Sequence, residues 1–304
     1  MGSPLRLTVV VRDGTDGAPD PGACWRVVSE EFDLADLELS NFRDDSAVSE
    51  LNGHAGDGVV RPVTPRLYRS LALADRAWRM TGGAFDPRVY GALARLGHRG
   101  ASDPRPVNAT IRTTERWLVR EASEGAVAVT APVDLGGIGK GLALRWALAA
   151  VARLGAPFGD SFGLMVDAGG DIVVAGTSPD DGPWLVGIED PLGGETSLAV
   201  AAIRAGAVCT SSIRLARWTT HDGRAVHHLI DPDTGEPGGE GLVAVTVAAA
   251  DPAWAEIWTK RVFLAGANRA ADVARSRGLA AWWVTEAGEL AMTPAARQAT
   301  IWPA

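Results

Sequence analysis

The chain has 304 residues, 46% of them hydrophobic and 22% charged, enough to bury a sizeable core, and a formal net charge of -8. The acidic balance excludes the basic footprint of a nucleic-acid-binding domain, and no apolar run reaches the roughly 18 residues that a membrane span needs. The N-terminus MGSPLRLTVVV enters directly into alternation, without the charged segment and continuous apolar block of a signal peptide, so a cytoplasmic setting is expected.

In chain order, Leu5 to Val11 alternates as a strand, and Trp25 to Leu39 has helical period. SNFRDDSAVSELNG (40–53) reads as a polar loop in which Asp44, Asp45 and Ser46 offer helix caps. Pro65 to Thr81 is a second helix, ended by Gly82 and Gly83. AFDPRVYGALARLG follows as turn plus helix, with Asp86 reading as a cap. Residues 100–125 are loop-rich, with short strands at 117–119 and 126–129. Leu142 to Leu154 is a helix, and Leu164 to Ala175 a strand interrupted by two glycines. Short strands are expected at 184–188, 198–203 and 207–210. His227 to Ile230 leads into the turn DPDTGEPGG. Leu242 to Ala249 is a strand, Pro252 to Ala265 a helix, and 278–285 with 289–292 a closing hairpin. Neither a repeat nor a linker divides the chain, so residues 1–304 are expected to form a single α+β domain with largely antiparallel strands. Cys24 and Cys209, the two cysteines, form neither a disulfide framework nor a metal-ligand set.

The most informative stretch is VDLGGIGKGLA, residues 133–143. It fails the P-loop pattern because Asp134 stands where the first glycine belongs and Gly141 replaces Ser/Thr. It fails the dinucleotide fingerprint because Gly137, Gly139 and Gly141 alternate. A glycine loop running into a helix N-terminus still favours an anion, and Lys140 adds a full positive charge. The bland alternative is a tight strand-to-helix turn. Of the 29 basic residues, Lys140 and Lys260 alone are lysines. A compact ammonium suits a phosphate or a buried carboxylate differently from a planar guanidinium. In VDAGGD (166–171), Gly169 and Gly170 inside a strand signal a bulge or the close approach of a ligand. In HHLIDPDTG (227–235), His228 is the first candidate base, His227 the second, and Asp231 the candidate orienter.

These blocks occur in the order found in the FAD:protein FMN transferases, the ApbE-like flavin transferases, and the chain resembles that family over nearly its whole length. The matching stretches are MGSP, SNFRDDSAVSELN, TGGAFDPRV, VDLGGIGKG, DAGGDIVVAG, PWLVGIEDP, AVCTSS, HHLIDPDTGEP and WAEIWTKRVFLAG. The resemblance implies an α+β fold around an FAD cleft. It implies cleavage of the FAD pyrophosphate, passage of the FMN phosphoryl group to a Thr or Ser hydroxyl of an acceptor flavoprotein, and loss of AMP. It puts Met1 and Phe42 near the flavin, and Ala84, Phe85 and Asp86 near the adenosine. It puts Asp134 and Lys140 along the nucleotide and diphosphate, and His228, Leu229 and Asp231 at the reacting end.

One departure stands out. The family holds Mg2+ with a loop carbonyl, an aspartate and a threonine four residues later. Here those positions are Gly137, Glu256 and Lys260. Glutamate ligates magnesium through oxygen, whereas an ammonium repels it. Either Lys260 supplies the positive charge itself, or the site is degenerate. The first case gives a transferase with Lys260 in the catalytic set. The alternatives are an FAD pyrophosphatase releasing FMN and AMP, and a non-catalytic FAD-binding protein.

Overall fold

The alternation at Leu5–Val11 becomes β1, the edge of a seven-stranded sheet. The computed structural model describes residues 3–12, 16–17, 19–98, 100–101, 116–121, 125–194, 196–214 and 216–302. After β1 come β2 (Phe162–Ala168), β3 (Asp171–Gly176), β4 (Gly206–Ser212), β5 (Leu242–Ala249), β6 (Ala280–Thr285) and β7 (Leu290–Met292). Spatial order follows chain order, and every neighbouring pair is antiparallel. The expected interrupted strand at 164–175 is thus a hairpin. Gly169 and Gly170, at φ 68° and 91°, form its turn, which the two positive φ values explain.

The helices are α1 (Pro21–Leu39), α2 (Ala47–Gly53), α3 (Pro65–Met80), α4 (Tyr90–Arg95), α5 (Gly139–Gly155), α6 (Pro252–Phe263), α7 (Ala267–Ser276) and α8 (Pro294–Ala299). The first starts four residues earlier than its apolar period suggests, because Asp20 accepts the Ala23 N–H at 3.0 Å and Pro21 fits the first turn. Ser46 caps α2 inside the stretch expected to be loop. Neither α7 nor α8 is among the elements expected from local pattern.

Side chains alternate across the sheet. Leu164, Val166 and Ala168 pack with Cys24 and Val28 of α1 and Leu144, Ala147 and Val151 of α5. Met165, Ile172, Val208 and Trp282 face a small sheet made of residues 184–188, 199–203 and 300–302. A third sheet, residues 61–62, 118–121 and 126–129, joins α2 and α3 around Leu67, Leu71 and Trp117. Both cysteines are free and buried.

The centre is α6. Asp251 caps it, accepting the Trp254 N–H at 3.0 Å. Ala253 and Ile257 enter the cluster around Trp117, Ala255 the α1–α5 layer, and Trp258, Val262 and Phe263 a third cluster with Leu242 and Val245. A helix buried on all sides must pair every polar group it carries. Glu256 and Thr259 are such groups, 2% and 0% exposed.

Candidate active site

The glycine loop delivers its last three members into a helix. Gly139, Lys140 and Gly141 form the first turn of α5, three residues before the expected start at Leu142. The helix reaches back because the Gly139 N–H bonds the Leu135 carbonyl at 2.8 Å and the Leu142 N–H bonds that of Ile138 at 3.0 Å. Upstream, Asp134 Oδ1 accepts from Asn41 Nδ2 at 3.0 Å and from the Gly136 N–H at 3.1 Å. Asn52 bonds the Val133 N–H and carbonyl at 2.8 and 2.9 Å. This network ties the SNFRDD and VDLGG segments together.

The anion favoured at the α5 N-terminus is the protein's own carboxylate: Glu256 Oε2 accepts the Gly141 N–H at 2.8 Å. Gly141 has to be glycine, since a Cβ there would lie 2.6 Å from Ala253 Cα and from the Pro252 carbonyl oxygen. Gly141→Ala is expected to cost about 1–3 kcal/mol by wedging α5 from α6. Thermal melts against Gly53→Ala, whose Cβ would meet open space, check this.

Lys140 and Asp171 form a close ion pair. Asp171 is 1% exposed, and its other oxygen accepts the Thr210 N–H at 2.9 Å. Burial works against the charged form of Lys140, but the Asp171 and Glu256 carboxylates outweigh it and hold the ammonium above its ordinary pKa. Lys260, one turn after Glu256, lies 3.3 Å from Glu256 Oε1. Each of the chain's two lysines is thus paired with a buried carboxylate, and the Glu256 carboxylate feels the charge of both. Burial raises the Glu256 carboxyl and the Lys260 ammonium opposes that rise. Burial also pushes the neighbouring Cys209 thiol well up, keeping it a thiol.

His228 stands near this cluster. Its Nδ1 lies 3.2 Å from the Ala216 carbonyl, so Nδ1 carries the proton and Nε2 is the basic nitrogen. Burial, then the Lys260 charge, lowers its pKa to about 3. Asp231 is not its orienter. The Asp231 carboxylate accepts the Asp233 N–H at 2.8 Å within the turn, and the Ala216 carbonyl orients the ring instead. Burial also lowers His227 and His98. Phe42 is 67% exposed and sits edge-on to His98, with ring centroids 5.6 Å apart. Gly100 makes room for the Phe42 ring. His98 in turn meets Trp218 at 5.1 Å. A cavity of about 430 Å³ opens here, lined by Ile213, Arg217, Trp218 and His227 among others.

Other expected positions are spent structurally. The Leu229 side chain is core, packed with Trp258 and Phe263. The Asp86 carboxylate is buried against the Arg88 guanidinium at 2.6 Å and caps the turn through the Arg88 N–H. Phe85 is buried, with its edge toward Gly137, and Ala84 beside it is half-buried. At Gly169 the close approach comes from the Ser3 side chain, while the Gly170 N–H bonds Asp167 Oδ1 at 2.8 Å. Met1 lies outside the described residues. Asp171 joins the site although no motif assigns it there; its signal in the sequence is a carboxylate placed directly after a glycine pair in a chain with only two lysines.

The residues at the implied magnesium position do not fit a divalent ion. One Glu256 oxygen holds the Gly141 N–H and the other faces the Lys260 ammonium. The neighbouring Thr259 hydroxyl is engaged as well, 2.6 Å from Ser211 Oγ and donating to the Glu256 carbonyl at 2.7 Å. Among the described residues, no group of three or more His, Cys, Asp or Glu is placed to hold a metal ion. Nor is any described helix long and apolar enough to cross a membrane.

Residues 1–283 match the model of the ApbE family. The chain is 31% identical over 304 residues to a FAD:protein FMN transferase of Klebsiella pneumoniae, covering 95% of this chain and 83% of that one. It is 32% identical to one of Treponema pallidum, covering 79% and 70%. Its fold matches the crystal structure of the ApbE protein from Thermotoga maritima with a TM-score of 0.85, at 25% identity and over 98% and 96% of the two chains. The flavin transferase ApbE from Vibrio cholerae matches at a TM-score of 0.77 and 20% identity, over 97% and 99%, a likeness of fold. A family model matched over residues 1–283 and a relative at 31% identity over 95% of the chain show the same thing: the chain belongs to the ApbE family.

Proposed function

We propose that this chain is a FAD:protein FMN transferase, with residues 1–304 acting as one catalytic unit. It takes FAD and an acceptor protein and moves the FMN phosphoryl group to a Thr or Ser hydroxyl. The observation that carries this reading is the pair of lysines gathered beside a neutral histidine, in a chain similar over most of its length to proteins of that name.

Phosphoryl transfer asks for in-line positioning and neutralised charge rather than covalent catalysis. Lys140 and Lys260 supply the charge along the diphosphate. Phe42 offers an exposed ring for flavin stacking. Asp134, held by Asn41, borders the nucleotide. His228 Nε2 accepts the acceptor hydroxyl proton as that oxygen bonds to the FMN phosphorus. The bond from that phosphorus to the bridging oxygen breaks, and AMP leaves with the bridging oxygen and its electron pair. Asp86 and Leu229 act here as positioning residues, through Arg88 and the core respectively.

Incubation with FAD, with and without a threonine-bearing acceptor peptide, tests the reading. AMP release is expected to require the peptide and to equal the flavin bound to it. Free FMN and AMP in equal amounts without peptide would instead establish a pyrophosphatase. Bound but intact FAD would establish a flavin-binding protein.

A further inference from the structure

We infer that Lys260 is the protein's built-in cation at the diphosphate subsite, so that this chain holds FAD without a divalent metal ion. The inference rests on the FAD-transferase reading and adds to it how the substrate's charge is met.

The two lysines are engaged to different degrees. Lys140 is locked to a fully buried carboxylate that has a second tie in the Thr210 N–H. Among the described residues Lys260 has loose partners only: Glu256 Oε1 at 3.3 Å, the Glu256 carbonyl at 3.3 Å and Ser211 Oγ at 3.5 Å. Charge-assisted N–H bonds normally close to about 2.7–2.9 Å, so all three ammonium protons have better partners to gain. A phosphate oxygen is one. The Lys260 side chain is 14% exposed, so the ammonium meets a ligand with little water to displace it.

Its path is also built. The stem of Lys260 lies along Gly137, where a Cβ would come within 3.0 Å of Cε and 3.2 Å of Cδ. A glycine in the loop thus gives room to the aliphatic part of the lysine and brings the ammonium up beside the loop.

Before substrate binds, the cluster is neutral without an ion. Lys140 and Lys260 face Asp171 and Glu256, two against two. A divalent ion added here would confront two ammonium groups and a carboxylate whose oxygens are both engaged, where such ions require six or more oxygen ligands. An incoming diphosphate meets the opposite situation: it brings negative charge to the loosely held ammonium. Lys260 is thus more than the neutraliser of Glu256, a role that would be better served by a short contact.

FAD affinity, read by flavin fluorescence quenching in EDTA and in millimolar Mg2+, is the test. The intact chain is expected to bind FAD with affinities within about twofold of each other in the two buffers. Lys260→Met is expected to weaken binding about tenfold or more in both, and Lys260→Arg to retain most of it. Lys260→Asp, which offers an oxygen beside Glu256, is expected to lose affinity in EDTA and regain it with Mg2+. An intact chain that gains tenfold with Mg2+ overturns the inference, as does a natively folded Lys260→Met that binds like the intact chain. In both of those cases flavin transfer to an acceptor peptide would leave the transferase reading standing. An intact chain that binds no FAD in either buffer sinks both together.

Discussion

Lys140→Met is expected to destabilise the protein by about 3 kcal/mol and to lower the rate of flavin transfer by two to three orders of magnitude, roughly the effect of removing one preorganised charge from a phosphoryl-transfer site. Two separate causes act. Asp171 is 1% exposed, and the substitution strands its carboxylate with the Thr210 N–H as its remaining partner. An unpaired buried charge is far costlier than an absent pair. The melting temperature should fall by roughly 5 °C for a chain of this size. The double variant Lys140→Met with Asp171→Asn removes both charges. It should recover most of the stability and none of the activity. Recovery of both would reduce the lysine to a structural ion pair. Thermal melts of the four members of the cycle, with single-turnover transfer assays, separate the two effects.

His228→Asn is expected to slow transfer by two to four orders of magnitude, the usual range for a lost general base, and to change the pH dependence of stability in a defined direction. The folded-state pKa is lowered to about 3, by burial first and Lys260 second. As pH falls through the ordinary histidine value of about 6.5, the unfolded chain takes up a proton that the native state refuses. Stability is therefore present above about pH 6.5 and is lost progressively as pH falls toward 3. Between pH 6 and pH 4 this residue alone accounts for a loss of about 2 kcal/mol. The asparagine variant should lack that increment, so the two stability profiles should converge in acid. Parallel profiles would contradict the buried neutral imidazole. In activity, kcat/KM should show no limb near pH 6.5 from this group, because the free enzyme holds it neutral there. Once FAD is bound, its diphosphate offsets the Lys260 charge, so the acid limb of kcat should lie at higher pH than that of kcat/KM.

Much of the fold is legible in local pattern. β1 and β5 are read to the residue, because alternation and flanking turns fix them. The α6 helix is read to within two residues of its end, since Asp251 and Pro252 mark its start unambiguously. What local pattern misses has long-range causes. Nothing within 139–141 announces that the helix begins there. The carboxylate that caps that turn arrives from Glu256, more than a hundred residues away. The glycine pair at 169–170 reads as a bulge or the close approach of a ligand, and the pairing of β2 with β3 makes it a hairpin turn instead.

The site divides along the same line. Residue type and spacing single out Lys140, Lys260 and His228, the family resemblance adds Glu256, and the structure brings these together. Asp231 is misassigned as the orienter because its Asp-Pro turn uses the carboxylate locally, while the carbonyl that orients His228 comes from Ala216. Asp86 and Leu229 have the right sequence neighbours for a cleft, but their side chains point into the interior. The metal question shows most clearly what spacing leaves open. Glu256 and Lys260 are four apart on one helix, which any surface pair also satisfies. Burial of Glu256, partial burial of Lys260, the Gly141 N–H on one oxygen, and Gly137 beneath the lysine stem distinguish this pair from a solvated one.

A phosphoester is expected to form between FMN and an acceptor hydroxyl. The most direct measurement is mass spectrometry of a threonine-bearing acceptor peptide after incubation with this protein and FAD, alongside the same peptide with that threonine replaced by alanine. The expected product is a peptide heavier by FMN less one water, with fragmentation locating the flavin on the threonine, and no adduct on the alanine peptide. An unmodified threonine peptide in the presence of consumed FAD would contradict it.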